Sequence, residues 1–413
     1  MLSSKPADTA PTPPREGLDD LAIFGGAPAF AEPRHVGRPN LGDPRRMVEH
    51  IEEIFDRGWL TNDGPLVKEF ERRVADLAGV EHCVAVSSAT VGLQLVARAL
   101  GFSGEVIVPS FTFIATVHAL TWLGFEPVFC DIDRQTHTID PAALSRVVTR
   151  RTSGIVAVHL WGQPCDVARI TKVAVDHDLP LVFDAAHALG CSHGGISVGG
   201  FGNAEVFSFH ATKFVNAAEG GAVTTNDGEL ARRLRLMRNF GFVEYDTVVE
   251  LGTNGKMSEL SAAMGLTSLE AFDDFITANR RNYLRYDDEL RDVPGVSLIR
   301  YDRPERHNYQ YIVLEVTPEA SMDLSRDDLV AALQAENVLA RRYFHPGAHR
   351  MDAYRESYGA TAGPLPATED VASRVLTLPT GSAVDEADVV TICSIVRVAA
   401  EHPVELRRRL SRQ

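Results

Sequence analysis

The chain has 413 residues, 45% of them hydrophobic, and a formal net charge of −15. That length buries a large core and suggests two or three structural units, while the acidic excess repels nucleic acid and anionic membrane surfaces, so any anionic substrate must meet local basic residues. The cysteines at 83, 130, 165, 191 and 393 are odd in number and free of close pairs or metal-ligand spacing; with no bilayer-length apolar run and no basic-then-apolar leader, they predict a cytoplasmic protein without a disulfide framework or a metal site.

Taken in order, residues 1–20 carry Pro6, Pro11, Pro13 and Pro14 among small polar residues and read as a disordered tail. Met47, Ile51, Ile54 and Phe55 recur at helical spacing over Pro44–Phe55, a turn follows at Trp59–Pro65, and Val67–Ala78 is a second amphipathic helix. A short apolar strand from Cys83 then runs into Ser87, Ser88, Ala89 and Thr90 before a helical pattern through Leu93, Leu95, Val96 and Leu100. Unpaired N–H groups at a helix start, with hydroxyls beside them, make a phosphate cradle, although an ordinary N-cap gives the same pattern.

Strands are predicted at Glu105–Pro109, Pro127–Asp131, Gly154–His159 and Pro180–Asp184, with helices such as Pro141–Val148 and Val167–His177 between them. That alternation argues for a largely parallel sheet with helices on both faces. The apolar run Leu181–Phe183 ends in Asp184, which therefore sits where ligands gather in such sheets, beyond a strand's C-terminal end. An Asp capping the next helix is the alternative reading.

The central stretch is Glu205–Val223. Val206, Phe207 and Phe209 alternate as a strand end, Ser208, His210, Thr212 and Lys213 enter a loop, and Gly220-Gly221 leads into a second short strand. A lysine between two buried strands is able to lose its proton, and a neutral amine attacks a carbonyl to form a Schiff base. A loop lysine snorkelling to solvent is the competing reading.

Beyond it, Glu229–Arg238 is a helix whose Arg232, Arg233, Arg235 and Arg238 suggest a solvated basic stripe, or contacts to a diphosphate. Leu251–Leu260 is a loop, a long helical segment runs from about Leu260 to Val293, and Pro294-Gly295 turns the chain. Short strands (Tyr309–Val316, Val338–Tyr343) and helices (Arg326–Glu336, Val384–Ala400) follow, with Arg407, Arg408, Arg409 and Arg412 in a solvated tail. No P-loop and no GxGxxG after a strand is present, which excludes kinase-like and dinucleotide-binding readings.

Ser88-Ala89-Thr90, Pro109–Phe113, Asp184–His187, Ser208–Lys213 and Glu219-Gly220-Gly221 occur in the order and spacing of the DegT/StrS-type sugar aminotransferases, and the resemblance runs from about Asn40 to Pro379. It implies an α/β fold-type I enzyme dependent on pyridoxal 5′-phosphate: a large cofactor-binding domain over 21–285, with a mostly parallel sheet flanked by helices, and a smaller C-terminal α+β domain over 286–413. It further implies that Lys213 carries the cofactor and acts as the base, Asp184 pairs with the pyridinium nitrogen, Phe113 stacks on the ring, His187 contacts the cofactor, and Ala89, Thr90 and Ser208 bind the phosphate. Ala89 departs from the family's glycine and demands an ordinary φ. Asn254, in a segment that reaches a neighbouring subunit in the family, implies a homodimer or higher oligomer with shared sites. Thr61, Asn62, Tyr343 and His345 are candidate sugar contacts. His210, in Ser-Phe-His-x-x-Lys, resembles members acting at C4, where relatives acting at C3 carry Tyr.

The implied reaction is amino transfer from L-glutamate to C4 of a dTDP-4-keto-6-deoxyhexose, with a C3 or other nucleotide-keto-sugar aminotransferase as the alternative. Deoxygenating relatives replace the lysine by histidine, so Lys213 argues against a dehydratase. A non-catalytic regulator is disfavoured by the full catalytic set in an acidic chain with no DNA-binding unit.

Overall fold

The computed structural model describes residues 13–302, 304–317, 319, 323–359 and 363–412. Helices α1 (Pro44–Arg57) and α2 (Pro65–Ala78) each begin with proline at a position where a missing N–H costs nothing, and Asp43 caps α1 by accepting from the Arg45 N–H at 2.9 Å. Next come β1 (His82–Val86), α3 (Ala89–Ala99), β2 (Glu105–Pro109), α4 (Ile114–Thr121), β3 (Glu126–Cys130), α5 (Pro141–Val147), β4 (Thr152–Val158), α6 (Val167–Asp176), β5 (Leu181–Asp184), β6 (Ala204–Ser208), β7 (Gly221–Thr225) and α7 (Gly228–Met237).

The seven strands form one sheet in the order β1-β7-β6-β5-β4-β2-β3, in which β7 alone runs against its neighbours. Alternation of side chains explains its two buried faces. Val84 and Val86 of β1, Val206 of β6 and Val223 of β7 enter one core, while Cys83, Ala85, Phe207 and Ala222 enter the other. A mostly parallel sheet collects its C-terminal strand ends along one edge, and the loops there form the site.

The predicted long helix is two, α8 (Glu259–Glu270) and α9 (Phe272–Leu290), separated at Ala271, whose φ −99° and ψ 14° leave the helical region. After α9 the strands β8 (Val296–Leu298), β9 (Ile312–Val316) and β10 (Val375–Leu378) make a small antiparallel sheet. Helices α10 (Arg326–Ala335), α11 (Pro366–Arg374), α12 (Glu386–Glu401) and α13 (Pro403–Leu410) complete this part. The expected strand Val338–Tyr343 is regular only at Val338–Leu339, and the expected C-terminal tail is the helix α13, whose Arg408 and Arg409 pair with Glu405 on its own face.

The expected disordered tail over 1–20 needs correction where it is described; residues 1–12 lie outside the described residues. Arg15 pairs with the buried Glu336, whose carboxylate also accepts from the Ala22 and Ala29 N–H groups at 2.8 and 2.7 Å. Leu18, Leu21, Ala29 and Phe30 consequently pack into the same core as Ile312, Leu314 and Leu376. The segment thus packs with the small sheet, although the boundaries expected from sequence place residues from 21 onward in the large domain. Proline-rich composition hides this, because one buried carboxylate organises the turn.

The basic stripe of α7 is solvated only in part. Arg238 is 5% exposed and binds Glu71 of α2 and the Ala85 carbonyl, Arg235 donates to the Cys83 carbonyl, and Arg233 reaches Glu250; Arg232 pairs with Glu229 on the exposed face. Glu71 in turn accepts from the Ala85 N–H at 2.8 Å, so one ion pair fixes α2 and α7 to both sides of β1. Arg238→Ala strands the Glu71 charge and is expected to destabilise the protein by about 3–5 kcal/mol in denaturant unfolding; a loss near zero contradicts this role for the pair.

Candidate active site

Five loops at the C-terminal edge of the sheet, together with residues from the smaller part, enclose a cavity of about 290 Å³. The chain leaving β1 turns at Ser88, whose hydroxyl caps α3 by accepting from the Val91 N–H at 3.3 Å. The N–H groups of Ala89 and Thr90 open that helix, where no intrahelical carbonyl can accept from them, and the helix dipole makes the spot attractive to an anion. Ala89 takes ordinary helical geometry. Gly221 allows the close approach: a Cβ there meets the Ala89 nitrogen at 2.5 Å. Ser208, opposite Gly221 in the β6–β7 ladder, lines the same corner.

Asp184 ends β5 and is 6% exposed. Its carboxylate accepts from the Thr116 hydroxyl at 2.8 Å and the Ala186 N–H at 3.1 Å. Burial pushes its pKa up, against those two hydrogen bonds and the nearby Lys213 charge. Two donors leave lone pairs of the carboxylate free for a further partner.

Lys213 follows a tight turn, its N–H donating to the His210 carbonyl at 2.9 Å. Burial pulls its amine down to about 8, against the field of Asp184 and of Tyr343, which both raise it. A substantial fraction is therefore neutral near physiological pH, as an attacking amine requires. His187, kept neutral by burial and by the Lys213 charge, lies beside Tyr311 with 3.3 Å between Nε2 and the hydroxyl. His210 pairs with the Thr212 hydroxyl at 2.9 Å and lies 3.6 Å from Glu219.

Phe113 and Phe111 part company. Phe111 is buried against Trp161 and Phe344, whereas Phe113 caps α4, is 54% exposed and lines the cavity. Both lie past the end of β2 rather than on a strand face.

Residues 43–397 match the DegT/DnrJ/EryC1/StrS aminotransferase family. The chain belongs to this family. It is 35% identical to the dTDP-4-amino-4,6-dideoxy-D-glucose transaminase of Shigella dysenteriae, over 84% of this chain and 94% of that protein. It is 34% identical to the GDP-perosamine synthase of Caulobacter vibrioides, over 86% and 95% respectively. Among solved structures, the aminotransferase DesI with its TDP-sugar product superposes with a TM-score of 0.91 at 51% identity, covering 96% of this chain and all (100%) of that one.

This DegT/StrS-family chain is accordingly a fold-type I aminotransferase of nucleotide sugars, and its cofactor is pyridoxal 5′-phosphate. The residues present fit that group: an anion-ready helix start, a carboxylate with unused lone pairs, and a lysine amine pulled down to about 8 face one cavity.

Of the residues expected from sequence, Ala89, Thr90, Phe113, Asp184, His187, Ser208, His210, Lys213 and Tyr343 line the cavity. Asn254, Thr61, Asn62 and His345 do not. Asn62 lines a second hollow of about 160 Å³ with Arg238 and Lys256, His345 lines a neighbouring groove, Thr61 sits in an exposed turn, and Asn254 is exposed at the base of a hairpin. Sequence reasoning missed Thr116, which steadies Asp184, and Tyr311, which lies just before β9; the expected strand Tyr309–Val316 had absorbed it. It also missed His159, whose ring stacks on Phe183 at 4.6 Å and bonds Glu205 at 2.8 Å beneath the cavity.

A buried lysine whose folded-state pKa lies below its unfolded value makes the native state bind fewer protons than the unfolded chain between about pH 8 and 10.4, so stability of the cofactor-free protein rises across that window. Lys213→Met is therefore expected to stabilise the cofactor-free protein at pH 7, with the gain shrinking between pH 8 and 10 in denaturant titrations. A gain that is flat with pH contradicts the depressed lysine.

Proposed function

We propose that this aminotransferase moves the amino group of L-glutamate to C4 of a dTDP-4-keto-6-deoxyhexose, with Lys213 as the proton-transferring base. The observation that carries the reading is the meeting of Lys213, Asp184 and the α3 N-terminus in one cavity. The names of the Shigella relative and of the product bound to DesI support a thymidine-linked amino sugar, and that relative's name supports C4.

When bound, pyridoxal 5′-phosphate supplies an aldehyde for amine exchange and a ring that takes up carbanion charge. The Ala89 and Thr90 N–H groups and the Ser208 hydroxyl would hold its phosphate, the Asp184 carboxylate would keep the pyridine nitrogen protonated, and Phe113 and His187 would contact the ring. The free Lys213 amine takes a proton from the donor's α-carbon and, in the second half-reaction, delivers one to C4 of the sugar. The small-part residue Tyr343, with the Arg341 guanidinium 5.1 Å above its ring, closes the mouth on the sugar. His210 faces the same space, steadied by Thr212 and Glu219.

The working unit is a cytoplasmic homodimer whose sites are completed across the interface by Asn254, with Thr61, Asn62 and His345 at the sugar end. Support comes from a hairpin over residues 240–251 in which Phe242, Val243, Tyr245, Val248, Val249 and Leu251 are exposed in the single chain, an apolar set that a second copy covers. No helix among the described residues is long and apolar enough to cross a membrane.

Incubation with L-glutamate and the 4-keto substrate is expected to yield the 4-amino sugar, while the 3-keto isomer is left unchanged; amination of the 3-keto isomer alone overturns the C4 assignment. Lys213→Ala is expected to lower turnover by at least about 10²–10⁴-fold. Mixing inactive Lys213→Ala and Asn254→Ala chains should regain up to a quarter of wild-type activity through hybrid dimers with one intact site, and no regain contradicts the shared site.

A further inference from the structure

Tyr311 and the Trp161 backbone N–H, buried next to the reacting amine, are left unused by that mechanism. The Trp161 backbone N–H points at Nδ1 of His187, at 3.4 Å. A backbone N–H can only donate, so Nδ1 accepts, and the proton of the neutral ring sits on Nε2. Nε2 lies 3.3 Å from the Tyr311 hydroxyl and so donates to it. The remaining polar neighbour is the Lys213 amine at 3.5 Å, which as an ammonium donates to the Tyr311 oxygen and only as a neutral amine can accept the Tyr311 hydrogen. Direction is thus imposed from one end as far as Tyr311, Trp161 to His187 and His187 to Tyr311, and of the contacts made by the Tyr311 hydroxyl only a neutral Lys213 can take its hydrogen.

The rest of the packing keeps the chain in place. Trp161 is fully buried, its ring lies 5.5 Å from that of Tyr311 in a T-shaped contact, and the His187 ring lies 4.6 Å from it. The Tyr301 hydroxyl donates to the Tyr311 backbone carbonyl at 3.1 Å. Tyr311 therefore has little freedom to turn away, and burial keeps its own hydroxyl protonated.

We infer that Tyr311 is a positioning residue for the transamination, a directed hydroxyl donor that holds the Lys213 amine neutral and aimed into the cavity. A donor favours the form that can accept, and a neutral amine has a lone pair where an ammonium has none. Removing the donor therefore shifts Lys213 toward its charged form. The inference rests on Lys213 being the reacting amine, and its test reads the lysine without cofactor or sugar, so failure of the proposed reaction and failure of this inference are separately visible.

The experiment is the pH dependence of Lys213 modification by an amine-directed acylating reagent in the full-length, cofactor-free protein, followed by peptide mass spectrometry. In Tyr311→Phe the midpoint is expected to rise by about half to one unit, lowering the labelling rate at pH 7.5 by about three- to tenfold. Replacement of Tyr311 by 3-fluorotyrosine, which keeps the ring's shape and folding while strengthening the donor, is expected to move the midpoint the other way. His187→Ala should shift it in the same sense as Tyr311→Phe, and the double variant no further than Tyr311→Phe alone, because both changes act through one chain of bonds. An unchanged or lowered midpoint in Tyr311→Phe, or a rise with 3-fluorotyrosine, overturns the inference.

Discussion

The architecture depends on keeping one primary amine short of water while leaving a carboxylate close enough to feel it. Burial alone pushes the Lys213 charge out, and Asp184 and Tyr343 pull it back, so the balance falls at about 8 rather than at either extreme. Both groups reach this position through the same feature. A parallel run of β4, β5 and β6 lays their C-terminal ends along one edge, so the carboxylate ending β5 and the loop leaving β6 meet without any long excursion of chain. β7 returns antiparallel beside β6, and its first residue, Gly221, lets the start of α3 come within contact distance of the same loop.

Structural ion pairs tie down the elements around this edge. Arg238 and Glu71 clamp β1, from which the turn opening α3 departs, and Glu336 gathers the segment from Arg15 to Ala29 onto the smaller sheet. That smaller part then supplies Tyr311, Tyr343 and Phe344 to the cavity wall. Residues that look remote in sequence become one lining because the two sheets share a boundary there.

Much of the fold was legible in the sequence. Apolar runs ending in a polar residue located β2 to within its bounds and β5 to within one residue, because a strand covered on both faces leaves a continuous hydrophobic signature. The lysine loop was legible because its motif stands in register with Ser88–Thr90, Pro109–Phe113, Asp184–His187 and Glu219–Gly221, whereas on its own a loop lysine snorkelling to solvent explains it equally simply. What was not legible depended on tertiary partners. Arg238 looked like a solvated helix face, since its partner Glu71 lies on a different helix. Residues 13–20 looked disordered, since the carboxylate that orders them lies more than 300 positions away. Thr116 and Tyr311 carry no local motif, and only the folded chain brings them to Asp184 and Lys213. Asn254, Thr61, Asn62 and His345 stand outside the single-chain cavity.

The central claim is that the amine of Lys213 carries the cofactor. Borohydride reduction of the purified enzyme, proteolysis and mass spectrometry read this directly: the account predicts one phosphopyridoxyl group, on the peptide containing Lys213 and on that residue. A label on any other lysine, or none on a protein that still transaminates, contradicts it.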